Sequence, residues 1–157
     1  TQHVFQCRHP SAAEIKREQL EILDAKLSLL GTSSVIRGSM LEGLNWWLLG
    51  TVAATCPKAP GFGSVHRPQV AATAAYVDQT SLGWGQMLHG RLSKLWGDAY
   101  VQDFAGCDTK ATHLRWTKGV IKALWKLAFV LWEHRNNVLH GSTEAEQAQL
   151  RSKKRII

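Results

Sequence analysis

Residues 115–141 read RWTKGVIKALWKLAFVLWEHRNNVLHG, the longest periodic run in the chain. Apolar side chains recur at Val120, Leu124, Leu127, Leu131 and Val138, in steps of three, four or seven, and no proline interrupts them. Because an α-helix turns once every 3.6 residues, that spacing gathers them on one face of a single long helix. A second stripe carries Trp125, Phe129 and Trp132. A rod that is apolar on two sides is expected to be enclosed by other helices, so this one is predicted to be the core of the domain, with Trp125 buried beside Leu124, Leu127 and Leu131.

Outward from that run, the chain divides into further helical segments. Ser11 with Glu14 three residues on forms a capping box before a helix to about Leu30, ended by Gly31. Leu20, Leu23, Leu27 and Leu30 make its buried stripe, and Glu14, Lys16, Arg17, Glu18 and Glu21 its wet side. Thr32-Ser33-Ser34 caps a second helix over 35–49, which contains Gly38, Gly43 and the pair Trp46-Trp47. Two interior glycines cost about 1 kcal/mol each, so this helix needs tertiary support from a closely crossing neighbour. An Ala-rich helix over 69–80 precedes one over 86–104, with Leu88, Leu92, Leu95, Trp96 and Tyr100 buried and Gly90 and Gly97 permitting close contacts. Gly106-Cys107-Asp108-Thr109 is the hinge into the central helix, and Thr143 with Glu146 is a capping box for a last helix with the basic end Lys153-Lys154-Arg155.

Residues 1–10 read as an irregular arm. Pro57, Pro60, Gly61, Gly63 and Pro68 mark one long loop over 50–68. Phe62, with His66 and Arg67 nearby, could clamp a nucleotide there, although a mobile surface loop is the simpler reading. No segment alternates as a strand would. The chain is therefore expected to be all-α, a single helical bundle of about five or six helices forming one domain over 1–157.

Composition narrows the chemistry. Nineteen Lys and Arg against twelve Asp and Glu give a net charge of +7, which favours polyanionic partners. Seven tryptophans suit a core, a protein interface or stacking on bases. Cys7, Cys56 and Cys107 are too few and too widely spaced for a disulfide framework or a zinc ribbon, so a reducing, intracellular setting is expected, with no metal and no cofactor. No apolar run is long enough to span a membrane. Phosphate-binding loops, dinucleotide fingerprints, paired metal-binding histidines and nucleophile elbows are all missing from the sequence, which leaves most familiar enzyme classes without support.

Between Lys110 and Gly141 the charged residues are Lys110, Arg115, Lys118, Lys122, Lys126 and Arg135 against Glu133 alone. Lys118, Lys122 and Lys126, spaced at four, form a basic ridge able to follow phosphates or simply to keep a helix face wet, with Arg115 and Arg91 extending it. At the end of the helix Asn136 and His140 share the face of Trp132, while Arg135 falls on the stripe of Leu131 and Val138. A fixed guanidinium suits phosphate, and an imidazole exchanges protons near neutral pH. A plain helix ending also explains Arg135, His140 and Gly141, since cations are favoured in a last turn and Gly after it.

The sequence Arg135-Asn136, three residues, His140 resembles the signature of HEPN-domain ribonucleases and nucleotide-binding proteins, which are small helical bundles. The resemblance implies metal-independent cleavage of RNA, with His140 as general acid or base, Arg135 stabilising negative charge and Asn136 orienting both, in a site completed across a homodimer. Trp132-Glu133-His134-Arg135-Asn136, with Leu82-Gly83-Trp84 and Gly90-Arg91-Leu92-Ser93 upstream, is also similar to Trp-rich segments of plant and algal retroelement proteins. Three readings stand together: an RNA-binding module that cleaves or only binds, a structural subunit docking into a larger assembly, and a DNA-binding part of a mobile-element protein.

Overall fold

A computed structural model describes residues 4–49, 67–103, 109–141 and 143–155. Among the described residues seven helices follow one another: α1 (Pro10–Leu29), α2 (Ser34–Leu49), α3 (Arg67–Leu82), α4 (Trp84–Leu88), α5 (Lys94–Asp103), α6 (Thr109–His140) and α7 (Glu144–Arg155). The described residues contain no strand, and the fold is an all-α bundle. Most of the long loop, including Phe62 and His66, the hinge at 106–108, and Cys56 and Cys107 lie outside the described residues.

The organising helix is α6. Its buried stripe, Trp116, Val120, Leu124, Leu127 and Leu131, packs on α1, α4 and α5. Leu20, Leu23 and Leu27 of α1 join Ile36, Met40, Leu44 and Leu48 of α2 in the same core. Leu30 is half-buried at its edge, against Gly119. The α1 N-cap is His9, two residues earlier than the Ser11 expected, because Pro10 at the first helical position needs no N–H partner. The capping box before α7 forms as read, with Thr143 N–H donating to Glu146 Oε2 and Glu146 N–H to Thr143 Oγ1, each at 3.2 Å.

The helix expected over 86–104 is two helices. Gly90, at φ 80°, ends α4, and Ser93 restarts the chain by accepting the Leu95 N–H on its hydroxyl at 3.2 Å. The fully buried Gln79 holds the break together: its amide donates to the carbonyls of Gly83 and Arg91 and accepts the Ser93 N–H at 2.9 Å. Gln79 thus replaces the helical hydrogen bonds that the turn gives up. Re-phasing at the break leaves Leu95 on the outside, contrary to expectation.

The interior glycines separate by position. Gly43 lies directly beneath the Trp84 indole, which occupies the space a Cβ would need, and Gly97 receives His113 in the same way. Gly38 has nothing around it. Only Gly43 therefore marks the close crossing expected of α2.

Lys16 also departs from the wet side assigned to it. It is buried, and its ammonium donates to the carbonyl of Leu48 at 2.7 Å and of Cys7 at 3.2 Å. Sitting seven residues before Leu23, it lies on the core stripe of α1. There it caps the C-terminal end of α2, where unpaired carbonyls and the negative end of the helix dipole welcome a cation.

Candidate nucleic-acid interface

The second apolar stripe of α6 is not enclosed. Trp125 is 54% exposed, Phe129 58% and Trp132 47%, which overturns the burial expected of Trp125. The reason is that α1 and α4 flank the buried side of α6 and no described element covers the opposite one. The Phe129 and Trp132 rings lie 5.9 Å apart, and the Trp125 indole rests on Gly90, where an added Cβ would stand 3.0 Å from its Nε1.

At about 100° per residue, Lys118, Lys122, Trp125, Phe129, Trp132, Asn136 and His140 fall within roughly 80° of arc. They form one strip about 33 Å long, at 1.5 Å per residue. It begins with cations, passes over three aromatic rings and ends in an amide and an imidazole; all but the half-buried Asn136 are exposed. Lys126 leaves the strip sideways and joins Lys26 and Lys122 around a groove of about 360 Å³ between α1 and α6. Arg115 and Lys118 continue the basic border toward the start of α6. Arg91, exposed and next to Gly90, adjoins the strip at Trp125. The five cations read from the sequence as a nucleic-acid surface are thus all exposed; Lys118 and Lys122 lie on the strip itself, and Arg91 adjoins it.

Arg135 is placed differently from Asn136 and His140. Five residues separate it from His140, a rotation of about 140° around the helix. Arg135 is half-buried and lines a groove of about 970 Å³ formed by the N-terminal arm, the start of α1, the end of α2 and the end of α6. Arg8, His9 and Lys16 line the same groove, Leu48, Val138 and Leu139 supply its apolar wall, and among the described residues no carboxylate borders it. Burial pushes the Lys16 ammonium below its ordinary value, with its Coulombic interaction with Cys7 opposing that shift.

Sequence reading missed a link beside this groove. Ser11 Oγ lies 2.6 Å from His9 Nδ1 and 3.1 Å from His134 Nε2, and the two imidazole rings are 6.5 Å apart. The Ser11 N–H also points at His9 Nδ1, at 3.4 Å, which makes that nitrogen the acceptor. The hydroxyl then donates to His9 and accepts from His134, tying the arm and α1 to α6. A signal existed, because His134 stands three after Leu131 and so on the inward stripe. No group of three His, Cys, Asp or Glu side chains suited to a metal ion occurs among the described residues. None of the described helices is long and apolar enough to cross a membrane.

Comparison with protein-family models, curated proteins and solved structures finds no match to the chain.

Proposed function

We propose that this protein binds single-stranded nucleic acid, RNA in preference to DNA, along the exposed strip of α6. The observation that carries the reading is the exposure of Trp125, Phe129 and Trp132 in one line with Lys118 and Lys122. Aromatic faces left in water beside cations suit unpaired bases, which stack for about 1–3 kcal/mol each while lysines follow the phosphates. A duplex hides its base faces and would meet only the lysines. The preference for RNA rests on Asn136 and His140 at the end of the strip, whose polar groups suit a ribose 2′-hydroxyl.

In the cleaving form of this reading, which the HEPN resemblance suggests, His140 moves the proton of that hydroxyl and Arg135 steadies the phosphate, with Asn136 between them. Their separation around α6 means that a strand must wrap the end of the helix, or that a second protomer must contribute, for both to reach one phosphate.

Fluorescence anisotropy with single-stranded RNA, the matching DNA and an RNA duplex tests the binding. Trp125→Ala and Phe129→Ala are each expected to weaken single-strand binding by roughly tenfold. Replacing Lys118, Lys122 and Lys126 together by Gln should lower affinity and flatten its salt dependence, since fewer counterions are released. Binding that ignores the aromatic changes sinks the reading. If the duplex is then bound equally well, the DNA-binding alternative is favoured; if no nucleic acid is bound, the strip is a protein-docking surface of a structural subunit. Incubation of RNA with chelator, wild type against His140→Ala, decides cleavage: equal cutting, or none by either, removes His140 as a catalytic residue.

A further inference from the structure

The groove at the C-terminal end of α6 holds more positive charge than the fold uses. Lys16 is accounted for by the carbonyls of Leu48 and Cys7. Arg8 and Arg135 are not: neither guanidinium has a hydrogen bond or an ion pair among the described residues, although both line the same groove. Arg135 is half-buried and lines the groove together with Val138 and Leu139, and a permanently charged side chain drawn partly out of water calls for an anion or water at its head. His9 faces the groove with Nδ1 engaged by Ser11, so Nε2 is the nitrogen it can offer.

We propose that this groove is a binding site for a phosphomonoester, the terminal phosphate of a nucleic-acid strand or of a free mononucleotide, held by Arg8 and Arg135. Two permanent charges, with the Lys16 ammonium in the same lining and no opposing carboxylate among the described residues, match a dianion better than the single charge of an internal phosphodiester. The apolar wall offers a place for the attached nucleoside, and about 970 Å³ is ample for one. A bound dianion would also relieve the burial cost of the Lys16 charge, which couples the site to the cap of α2. Recognition of a strand end rests on the single-strand reading above, because Leu139 and Arg135 adjoin the Trp132 and Asn136 end of the strip. Binding of a mononucleotide does not depend on it.

The test uses the whole chain with four probes: adenosine 5′-monophosphate, adenosine, and one short single-stranded RNA with and without a terminal phosphate. Titration calorimetry should show the monophosphate bound and adenosine roughly a hundredfold or more weaker, or undetected, as expected when two charge-assisted hydrogen-bonding groups are lost. Arg135→Gln should reduce monophosphate binding by about tenfold or more. Arg8→Glu, at an exposed residue where a surface change is expected to alter stability little, should do the same, so a folding defect at Arg135 would not hide the result. Equal binding of the monophosphate and adenosine, absence of both, or an Arg8→Glu variant that binds like wild type overturns the site. RNA binding that depends on Trp125 but not on the terminal phosphate, with no monophosphate binding, removes the groove and keeps the strip. Monophosphate binding without RNA binding keeps the groove and removes the strip.

Discussion

The two faces of α6 are both apolar, each with tryptophan, and meet opposite fates. On one side Trp116, Val120, Leu124, Leu127 and Leu131 are all buried; on the other Trp125, Phe129 and Trp132 are about half exposed. Trp116 shows what burial asks of an indole. Its ring stacks on Tyr100 at 4.7 Å and 11°, and its N–H donates to the buried Thr32 hydroxyl at 2.8 Å. Among the described residues Trp125 and Trp132 have no such hydrogen-bonding partner, and Lys122 precedes Trp125 by one turn on the same strip. An apolar stripe is therefore a statement about a helix, while a core is a statement about its neighbours. Where the neighbours are missing, the aromatic surface remains for something outside the chain.

The sharpest way to break this contrast is to shorten one side chain on each face. Leu124→Ala should lose about 2–5 kcal/mol in chemical denaturation, through lost burial and the cavity left behind, whereas Phe129→Ala should change stability by less than about 1 kcal/mol. Comparable losses would mean that the exposed face is covered in solution. The next contrast lies within α2. Gly43→Ala drives a methyl into the Trp84 ring and should cost about 1–3 kcal/mol, while Gly38→Ala, in open space, should gain about 0.5–1 kcal/mol from helix propensity. Equal melting shifts for the two would show that α2 does not pass under Trp84.

A smaller effect separates two indoles. Trp116→Phe should cost about 1–3 kcal/mol, because Thr32 is left buried without its donor, and Trp132→Phe should be nearly silent in stability. A silent Trp116→Phe would place water at Thr32.

The smallest expected effect depends on pH and concerns Lys16. Its folded value is lowered by burial, so between that value and the ordinary lysine value of about 10.4 the unfolded chain holds more protons than the folded one. Stability contributed at this residue should then rise as pH climbs through that window. Denaturation of wild type and Lys16→Met at neutral and at alkaline pH should show their difference moving in favour of wild type. An unchanged difference would mean that the ammonium is as well solvated in the fold as outside it.

Much of the fold was legible because helices announce themselves locally. The stripe of Leu20, Leu23 and Leu27, the Gly31 ending and the Thr143 and Glu146 capping box are all short-range patterns, and each stands where it was read. The break between α4 and α5 was harder, since its stabilising side chain, Gln79, comes from another helix. The candidate site was partly legible. Spacing put Asn136 and His140 on the face of Trp132 and Lys118, Lys122 and Lys126 on one ridge; the helical arithmetic joins Lys118 and Lys122 to the first set, moves Lys126 aside and turns Arg135 away from His140. Lys16 also lay on the inward stripe of its helix by that arithmetic, but its charge argued for water, and only its partners reverse that argument.

By itself, then, the sequence determined an all-α chain, the phase of each long helix and a basic, tryptophan-rich α6. Hydrogen bonds four residues apart and a 3.6-residue turn need no distant neighbour to be specified. Only the tertiary structure decided which of the two α6 stripes is core, that Lys16 caps α2, and that Arg8, brought in by the arm, shares a groove with Arg135. Burial and pairing are relations between segments far apart in the chain, and periodicity within one helix carries no information about which of its faces another helix will reach.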